Sequence, residues 1–511
     1  MQIVDNDTIR LKLRDPGRVM SAIPWCTKLA DDSVLVPWQL DELRELSALD
    51  INVPSPITQR YDWPGEHAPY DHQRATAGFL TLNRRAFCFN EQGTGKTASA
   101  IWAADFLLRE GEINRVLVIC PLSIMESAWR ADLFKFAMHR TVDVAYGTRE
   151  KRKRIINSGV EFVIINYDGV MPVRDDIIAG GFDLIIVDEA SHYKNAQTQR
   201  WKNLHKLCTP DTWLWMMTGT PAAQSPLDAY GLAKLVNPEA VPRAFGAFKD
   251  MVMFQVTRWN WMPKSTAIDT VHRVLQPAIR YTKEQCLDLP DMVYTNRTVE
   301  LTPQQKKFYE QLRKKLVVEV ADGDVTAINA AVCANKLLQV ACGAVYTDER
   351  DVLEFDVSHR YKVLREVIDE SSKKTLVFVP FRHAIDIILE KLRADGITAE
   401  AIHGGVKARV RTDIFRRFET TDAPQVLVIQ PQAAAHGVTL VAANTVVWWG
   451  PVSSLETYAQ ANARVHRAGQ DQKCTVVHLQ GAPIEQRIYS MLGKKIDIHS
   501  RIVELYKDLL A

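Results

Sequence analysis

The 511-residue chain lacks the marks of a secreted, membrane-bound or metal-stapled protein. No stretch approaches the roughly 18 uninterrupted apolar residues of a spanning helix, so no membrane segment is expected. The eight cysteines, at 26, 88, 120, 208, 286, 333, 342 and 474, never fall in a C-x-x-C spacing, which removes the usual zinc and thioredoxin-like readings. Several, Cys88 and Cys120 among them, lie in apolar runs, where a thiol acts as a small buried hydrophobe. The N-terminal MQIVDNDTIRLKLRD has no apolar h-region, which argues against a secretory signal and for a reducing cytoplasm. Net charge is almost absent, formally +2, so any nucleic-acid surface must be a local patch. Internal repeats and low-complexity tracts are absent as well.

What remains is an ordinary globular composition, 47% apolar and 24% charged, in a chain too long for one core. Residues 1–60 read as a small N-terminal α+β module: an edge strand at Ile9–Leu13, a short helix opened by Pro16, and helical periodicity from Val36 to Leu49. Pro54-Ser55-Pro56 and Trp63-Pro64-Gly65 read as linker. From about residue 70, short apolar runs alternate with helical stretches. Ala86–Phe89, Val116–Cys120, Phe162–Ile165, Leu184–Val187 and Leu214–Met217 form one strand set. Thr375–Val379, Thr398–Ile402, Val426–Ile429, Thr445–Trp449 and Thr475–Leu479 form a second. Alternation of this kind predicts an α/β fold of βαβ units and parallel sheets. The expected division is a first lobe at 61–289, a helical connector at 290–357 around a charged helix from Pro303 to Val320, and a second lobe at 358–511 with C-terminal helices.

Four patterns carry chemistry. Asn90-Glu91-Gln92-Gly93-Thr94-Gly95-Lys96-Thr97 follows a strand and precedes the helical run Ala98–Leu108, the context of a phosphate-binding loop. Gly93 and Gly95 permit the tight turn that aims N–H groups, Thr94's included, at phosphates. Lys96 would meet the β and γ phosphates of ATP, and Thr97 would offer its hydroxyl to Mg²⁺. The generic pattern has glycine where Asn90 stands. Leu184–Val187 runs into Asp188 and Glu189, where Asp188 would hold Mg²⁺ and Glu189 would polarise the attacking water. Thr218 and Thr220, in Thr218-Gly219-Thr220-Pro221, would couple the nucleotide to moving parts. Arg464 and Arg467, three apart on an expected helix, would project from one face and supply an arginine finger.

In this order the motifs resemble superfamily-two helicase-like ATPases, and more finely the Swi/Snf branch, over residues 70–475. The most specific piece is Arg464-Val465-His466-Arg467-Ala468-Gly469-Gln470. The resemblance implies two RecA-like lobes with ATP between them, and Gln73 of Asp71-His72-Gln73 as the adenine reader. A polar Asn90 also suits that branch. Pro121 and Ser123, with Trp129 behind them, then resemble a first DNA-contacting motif and Asn166-Tyr167 the next. Asp188-Glu189-Ala190-Ser191 with Lys194-Asn195 matches the branch's acidic signature, although Ser191 replaces the usual histidine. Residues 286–290, then Leu301-Thr302 and Tyr309, look like its connector. In the second lobe Arg382, His403, Gly404 and Thr439 are candidate DNA contacts, and Gly437 and Gln460 candidate coupling residues. Gly437 is the one glycine kept in a motif usually richer in them, and Pro431 lies where Ser or Thr is frequent. The implied protein is a DNA-dependent ATPase using ATP and Mg²⁺ on double-stranded DNA, monomeric, and of bacterial or phage type. Two alternatives stand beside it: a strand-separating or annealing helicase acting on forked or branched DNA or on RNA, which shares these motifs, and an ATP-gated DNA-binding protein without motor activity, against which the intact Lys96, Asp188, Glu189 and Arg467 argue. The basic run Arg149–Arg154 reads as a solvated helix face, with a phosphate-tracking role as the alternative, and Trp259, Trp261, Trp448 and Trp449 as packing residues, with stacking on bases as the alternative.

Overall fold

Runs that are apolar at every position, rather than at alternate ones, suit strands covered on both faces. In the computed structural model they occupy the middle of two parallel sheets. The structure describes residues 1–494, apart from 6, 66–67, 220, 222–224, 257–260, 287–289, 322–326, 347–351, 435–437 and 468. The chain divides into two compact units, Met1–Cys286 and Leu287–Ala511.

The first unit opens with an antiparallel sheet of β1 (Gln2–Ile3), β2 (Thr8–Lys12), β3 (Thr27–Lys28) and β4 (Ser33–Pro37), in spatial order β1-β2-β4-β3. Ile9 and Leu11 share a core with Val34 and Val36 and with Val19, Leu43 and Leu46 of the helices Pro16–Ala22 and Leu40–Ala48. Asp15 caps the first helix by accepting the Gly17 amide, and Pro16 opens it. The helix expected from Val36 starts only at Leu40. The run Val34-Leu35-Val36 pairs with β2 instead, because β-branched residues favour the pleated surface. Arg44 fastens this module to the rest of the unit, meeting Glu112 at 3.0 Å and the Thr81 carbonyl at 3.3 Å.

A seven-stranded sheet follows. Its strands are β5 (Arg85–Cys88), β6 (Val116–Cys120), β7 (Val142–Val144), β8 (Phe162–Asn166), β9 (Leu184–Asp188) and β10 (Trp213–Met217). After a hairpin of β11 (Met253–Gln255) and β12 (Trp261–Pro263), β13 (Ala278–Ile279) completes it. The order is β13-β5-β10-β9-β6-β8-β7 with every neighbour parallel.

The second unit starts with β14 (Met292–Thr298), then a hairpin of β15 (Ala344–Tyr346) and β16 (Val352–Glu354). β17 (Lys374–Phe378), β18 (Ala399–Ile402), β19 (Val426–Ile429), β20 (Ala443–Trp448) and β21 (Cys474–Gln480) follow. With β14 they form a parallel sheet in the order β14-β21-β20-β17-β19-β18. All ten runs expected to be strands are strands, and the fold is α/β with two RecA-like parallel sheets. The segment expected to be a purely helical connector begins as β14, paired with β21 over its whole length, and turns helical only at Pro303. Two side chains anchor this unit. Arg360, in the helix Ser358–Glu370, makes a two-pronged ion pair with Glu485 of the helix Pro483–Gly493, at 2.8 and 2.7 Å, wholly out of water. Trp448 and Trp449 are both fully buried, in separate apolar clusters on opposite faces of the sheet.

Candidate active site

Ligand sites of parallel α/β sheets form at the carboxyl ends of strands, where the order reverses. Here β5 is followed by the helix Lys96–Arg109 and then by β6, three places away in the sheet. The intervening loop carries Gly93 and Gly95 at φ 88° and 82°, a region costly for any residue with a Cβ. A Cβ at Gly95 would also overlap the amide nitrogen of Gln73. Gln73 is committed to the backbone of this loop and of its own helix: Nε2 donates to the Thr94 carbonyl at 3.3 Å and Oε1 accepts the Tyr70 amide at 3.0 Å. His72 Nε2 also lies 2.8 Å from the Thr94 carbonyl. An adenine contact by Gln73 requires one of these bonds to be exchanged.

Asn90, the residue in place of glycine, is a brace. Its Nδ2 donates to Thr76 Oγ1 at 2.8 Å and its Oδ1 accepts the Tyr281 amide at 2.9 Å. Lys96 Nζ folds over the loop, donating to the carbonyls of Asn90 at 2.7 Å and Glu91 at 3.2 Å. Thr97, half-buried, follows it in the first helical turn.

Asp188 ends β9. Its Oδ1 accepts the Glu189 amide and its Oδ2 accepts Trp129 Nε1, both at 2.9 Å. Burial pushes its carboxyl above the usual range, against the Trp129 bond, the charge of Lys96 and the Glu189 amide. Glu189 is held at φ 48°, ψ 55°, an uncommon region for a residue with a side chain. Its Oε1 accepts Gln92 Nε2 at 3.2 Å, so the glycine loop after β5 and the acidic pair are joined directly. Tyr167 donates its hydroxyl to the Asp188 carbonyl at 2.6 Å. Thr218 closes the arrangement, its amide bonded to the Cys88 carbonyl at 3.0 Å, and Gly219 rests against Asn90 and Gln92. Thr220 lies outside the described residues. Cys88 and Cys120 are fully buried beside this site, and burial drives both thiols up, Cys88 to about 11.

The structure gives Trp129 a part that the sequence did not suggest. It sits in a π-helical turn, Met125–Arg130, and its indole points at the acid of β9 rather than outward. Gln92 and Tyr167 were likewise not marked as supports of the acidic pair, because a hydrogen bond across non-adjacent strands leaves no spacing in the sequence. Pro121 and Ser123 follow β6 and Asn166 ends β8, with Cys120 and Asn166 in register, so these three lie along one edge. Lys194 pairs with Asp228 at 3.2 Å, and Asn195 accepts the Gln197 amide at 2.9 Å.

In the second unit Arg382, His403 and Gly404 come together at the ends of β17 and β18. A Cβ on Gly405 would lie 3.0 Å from Arg382 Nη1, and the Gly404 amide reaches Gln430 at 3.4 Å. Burial, then the charges of Arg382 and Arg411, lower the His403 pKa. Arg464 and Arg467 do not share a helix: Leu455–Asn462 ends before them, and they occupy the turn that follows. Arg464 is 2% exposed and donates to the Val438 carbonyl at 3.3 Å. Arg467, less buried, reaches Thr439 Oγ1 at 3.3 Å and the Ala463 carbonyl at 3.0 Å. Gln460 is buried and bonded to Glu456 at 3.2 Å. Gln470 ties the turn to the carbonyls of Ala443 and Val465, at 2.9 and 3.0 Å. Gly437 and Ala468 lie outside the described residues, as does Trp259.

Residues 72–343, more than half of the chain, match the family model of the SNF2-related domain. The chain belongs to the SNF2-related family. Residues 359–469 match the family model of the helicase conserved C-terminal domain. Among curated relatives, mouse chromodomain-helicase-DNA-binding protein 1-like is 23% identical over 81% of this chain and 47% of its own length. An uncharacterized ATP-dependent helicase of Mycoplasma genitalium is 26% identical over 80% of this chain and 39% of its own. The protein p41 of an aphid endosymbiont phage is 24% identical over 79% of this chain and 90% of its own. The chain thus spans under half the length of the first two and most of the third. A solved SWI2/SNF2 ATPase core of Sulfolobus solfataricus, in complex with double-stranded DNA, is 23% identical with a TM-score of 0.43, over 88% of this chain and 97% of that one. Among the described residues no helix is long and apolar enough to cross a membrane.

Proposed function

We propose that this SNF2-related chain hydrolyses ATP to move along double-stranded DNA. The observation that carries the reading is the gathering of Lys96, Asp188 and Glu189 at the ends of β5 and β9, cross-linked by Gln92. Oxygen donors from one hydroxyl, Thr97, and one carboxylate, Asp188, suit Mg²⁺ delivered with phosphates rather than caged by protein. Among the described residues no group of three or more His, Cys, Asp or Glu side chains could hold a metal ion. When bound, Mg²⁺ supplies charge that neutralises the phosphate oxygens in the transition state. Lys96 exchanges its two loop carbonyls for phosphate oxygens. Glu189, fixed by its backbone and by Gln92, orients the attacking water and accepts its proton. Arg464 and Arg467 are the arginines proposed to stabilise the transferred phosphoryl group. Pro121, Ser123 and Asn166 in the first lobe, and Arg382, His403, Gly404 and Thr439 in the second, are the proposed DNA contacts.

The names of the relatives, a helicase-DNA-binding protein and an ATP-dependent helicase, support the classes of nucleotide and polymer. Phosphate release measured in parallel with duplex, single-stranded and forked DNA and with RNA tests the choice of polymer; stimulation greatest with duplex is expected. Triplex displacement without duplex unwinding is the expected motor signature, and unwinding or annealing would replace the translocase by a helicase. Lys96→Ala should abolish stimulated hydrolysis. Unchanged hydrolysis in that variant would remove the loop from the mechanism.

A further inference from the structure

The cations of the basic helix Arg149–Ile156 are not equivalent. Lys151, Lys153 and Arg154 are exposed. Lys153 pairs with Asp176 at 3.2 Å, and Arg149 Nε donates to the Pro172 carbonyl at 3.0 Å. Arg152 turns inward. Its Nε is buried and meets no hydrogen-bond partner among the described residues.

A second unmet group lies beside it. Asn166, at the end of β8, is 9% exposed, and its Oδ1 is also buried without a partner. The two side chains converge over Gly169, where a Cβ would stand 2.6 Å from Asn166 Oδ1 and 3.3 Å from Arg152 Cζ. Only glycine leaves room for both. Each buried polar group left unbonded costs about 1–3 kcal/mol; a bound anion would recover the cost at the Arg152 donor, and at Asn166 only with the amide turned to present Nδ2. Asp168, two residues from Asn166, does not cancel the guanidinium, because it is paired with Arg200 at 2.8 Å.

We propose that Arg152 and Asn166 form a seat for one backbone phosphate of bound DNA, an inference that rests on the DNA reading above. The guanidinium supplies charge and a planar fork of donors, and the Asn166 amide, turned to present Nδ2, adds one more. The seat lies on the edge that carries Pro121 and Ser123, since Cys120 and Asn166 are in register. The basic helix is therefore a DNA-gripping element through one residue that faces inward, not through its solvated face.

The test is duplex-DNA affinity by fluorescence anisotropy across a series of KCl concentrations, beside a thermal melt of each variant. Arg152→Ala should weaken binding roughly tenfold and reduce the slope of log affinity against log salt by about 0.9, one phosphate's worth. Arg152→Lys should keep the slope. Asn166→Asp sets a carboxylate beside the guanidinium, so the two satisfy each other and the seat closes: the slope should fall equally while the melting temperature holds or rises. This second variant decides the matter if Arg152→Ala folds poorly. An unchanged slope in Asn166→Asp overturns the seat, as does an equal loss of affinity at every salt concentration, which is the mark of a structural role. Wild-type protein with no salt-dependent duplex binding would instead overturn the DNA reading, and the seat with it.

Discussion

Asp188 works under constraint at the scale of single residues: it is buried, its carboxyl is pushed up by desolvation, and one oxygen is fixed by an indole. Trp129→Phe keeps the ring but removes the donor, which frees Oδ2 to turn from its present place and would weaken the proposed hold of Asp188 on Mg²⁺. The Mg²⁺ concentration for half-maximal ATP hydrolysis should rise about tenfold, as for other outer partners of ion-holding groups; a Mg²⁺ titration of ATPase rate reads it. Asp132, three residues on from that tryptophan, gives a pH prediction. Burial chiefly, with the charge of Asp188 adding and Lys135 opposing, raises its pKa to about 6. A carboxyl raised on folding is a penalty when ionised. The penalty is fully present above pH 6 and fades as pH falls from there toward the unfolded value near 4. Asp132→Asn should therefore stabilise the nucleotide-free protein by about 1–2 kcal/mol at pH 7.5, and the gain should vanish by about pH 4. Melts across pH would show the two curves converging.

Among the elements, the central strands were legible because burial on both faces imposes unbroken apolar runs; β6 and β19 are simply Val116–Cys120 and Val426–Ile429. The edge strand β14 was not. β14, Met292–Thr298, alternates exposed and half-buried residues and includes Asn296 and Arg297, so its pairing with β21 is fixed by the partner strand rather than by its own composition. The helix placed under Arg464 and Arg467 failed for a related reason. Its apolar and basic spacing continues past Asn462, but the backbone leaves the helix there and Arg464 is drawn inward to the Val438 carbonyl. In the candidate site, the loop and the acidic strand end were legible as local strings, whereas Gln92 on Glu189 and Trp129 on Asp188 join residues 97 and 59 positions apart. The buried pair Arg360–Glu485 holds two helices of the second unit and was equally invisible. Glu485→Gln would strand a guanidinium away from water, and should cost about 3–5 kcal/mol, seen as an early loss of helical signal in urea denaturation.

For the molecule as a whole, a net charge of +2 means that the proposed attraction to DNA would come from a few placed cations and not from a general field. DNA-stimulated hydrolysis should weaken as salt rises, because each phosphate contact surrenders its counterion advantage. Hydrolysis without DNA should stay nearly flat over the same range, and rate measured against KCl with and without saturating duplex would separate the two. Trp448 and Trp449 have a use of their own. They are neighbours in sequence, yet Trp448 donates to Asn462 and Trp449 to the Cys342 carbonyl, from opposite faces of one sheet. With fluorinated tryptophan incorporated and each resonance assigned by its Phe variant, the pair becomes two spectroscopic reporters a single peptide bond apart, one for each helical layer of the second lobe, able to show which layer responds when nucleotide or DNA is added.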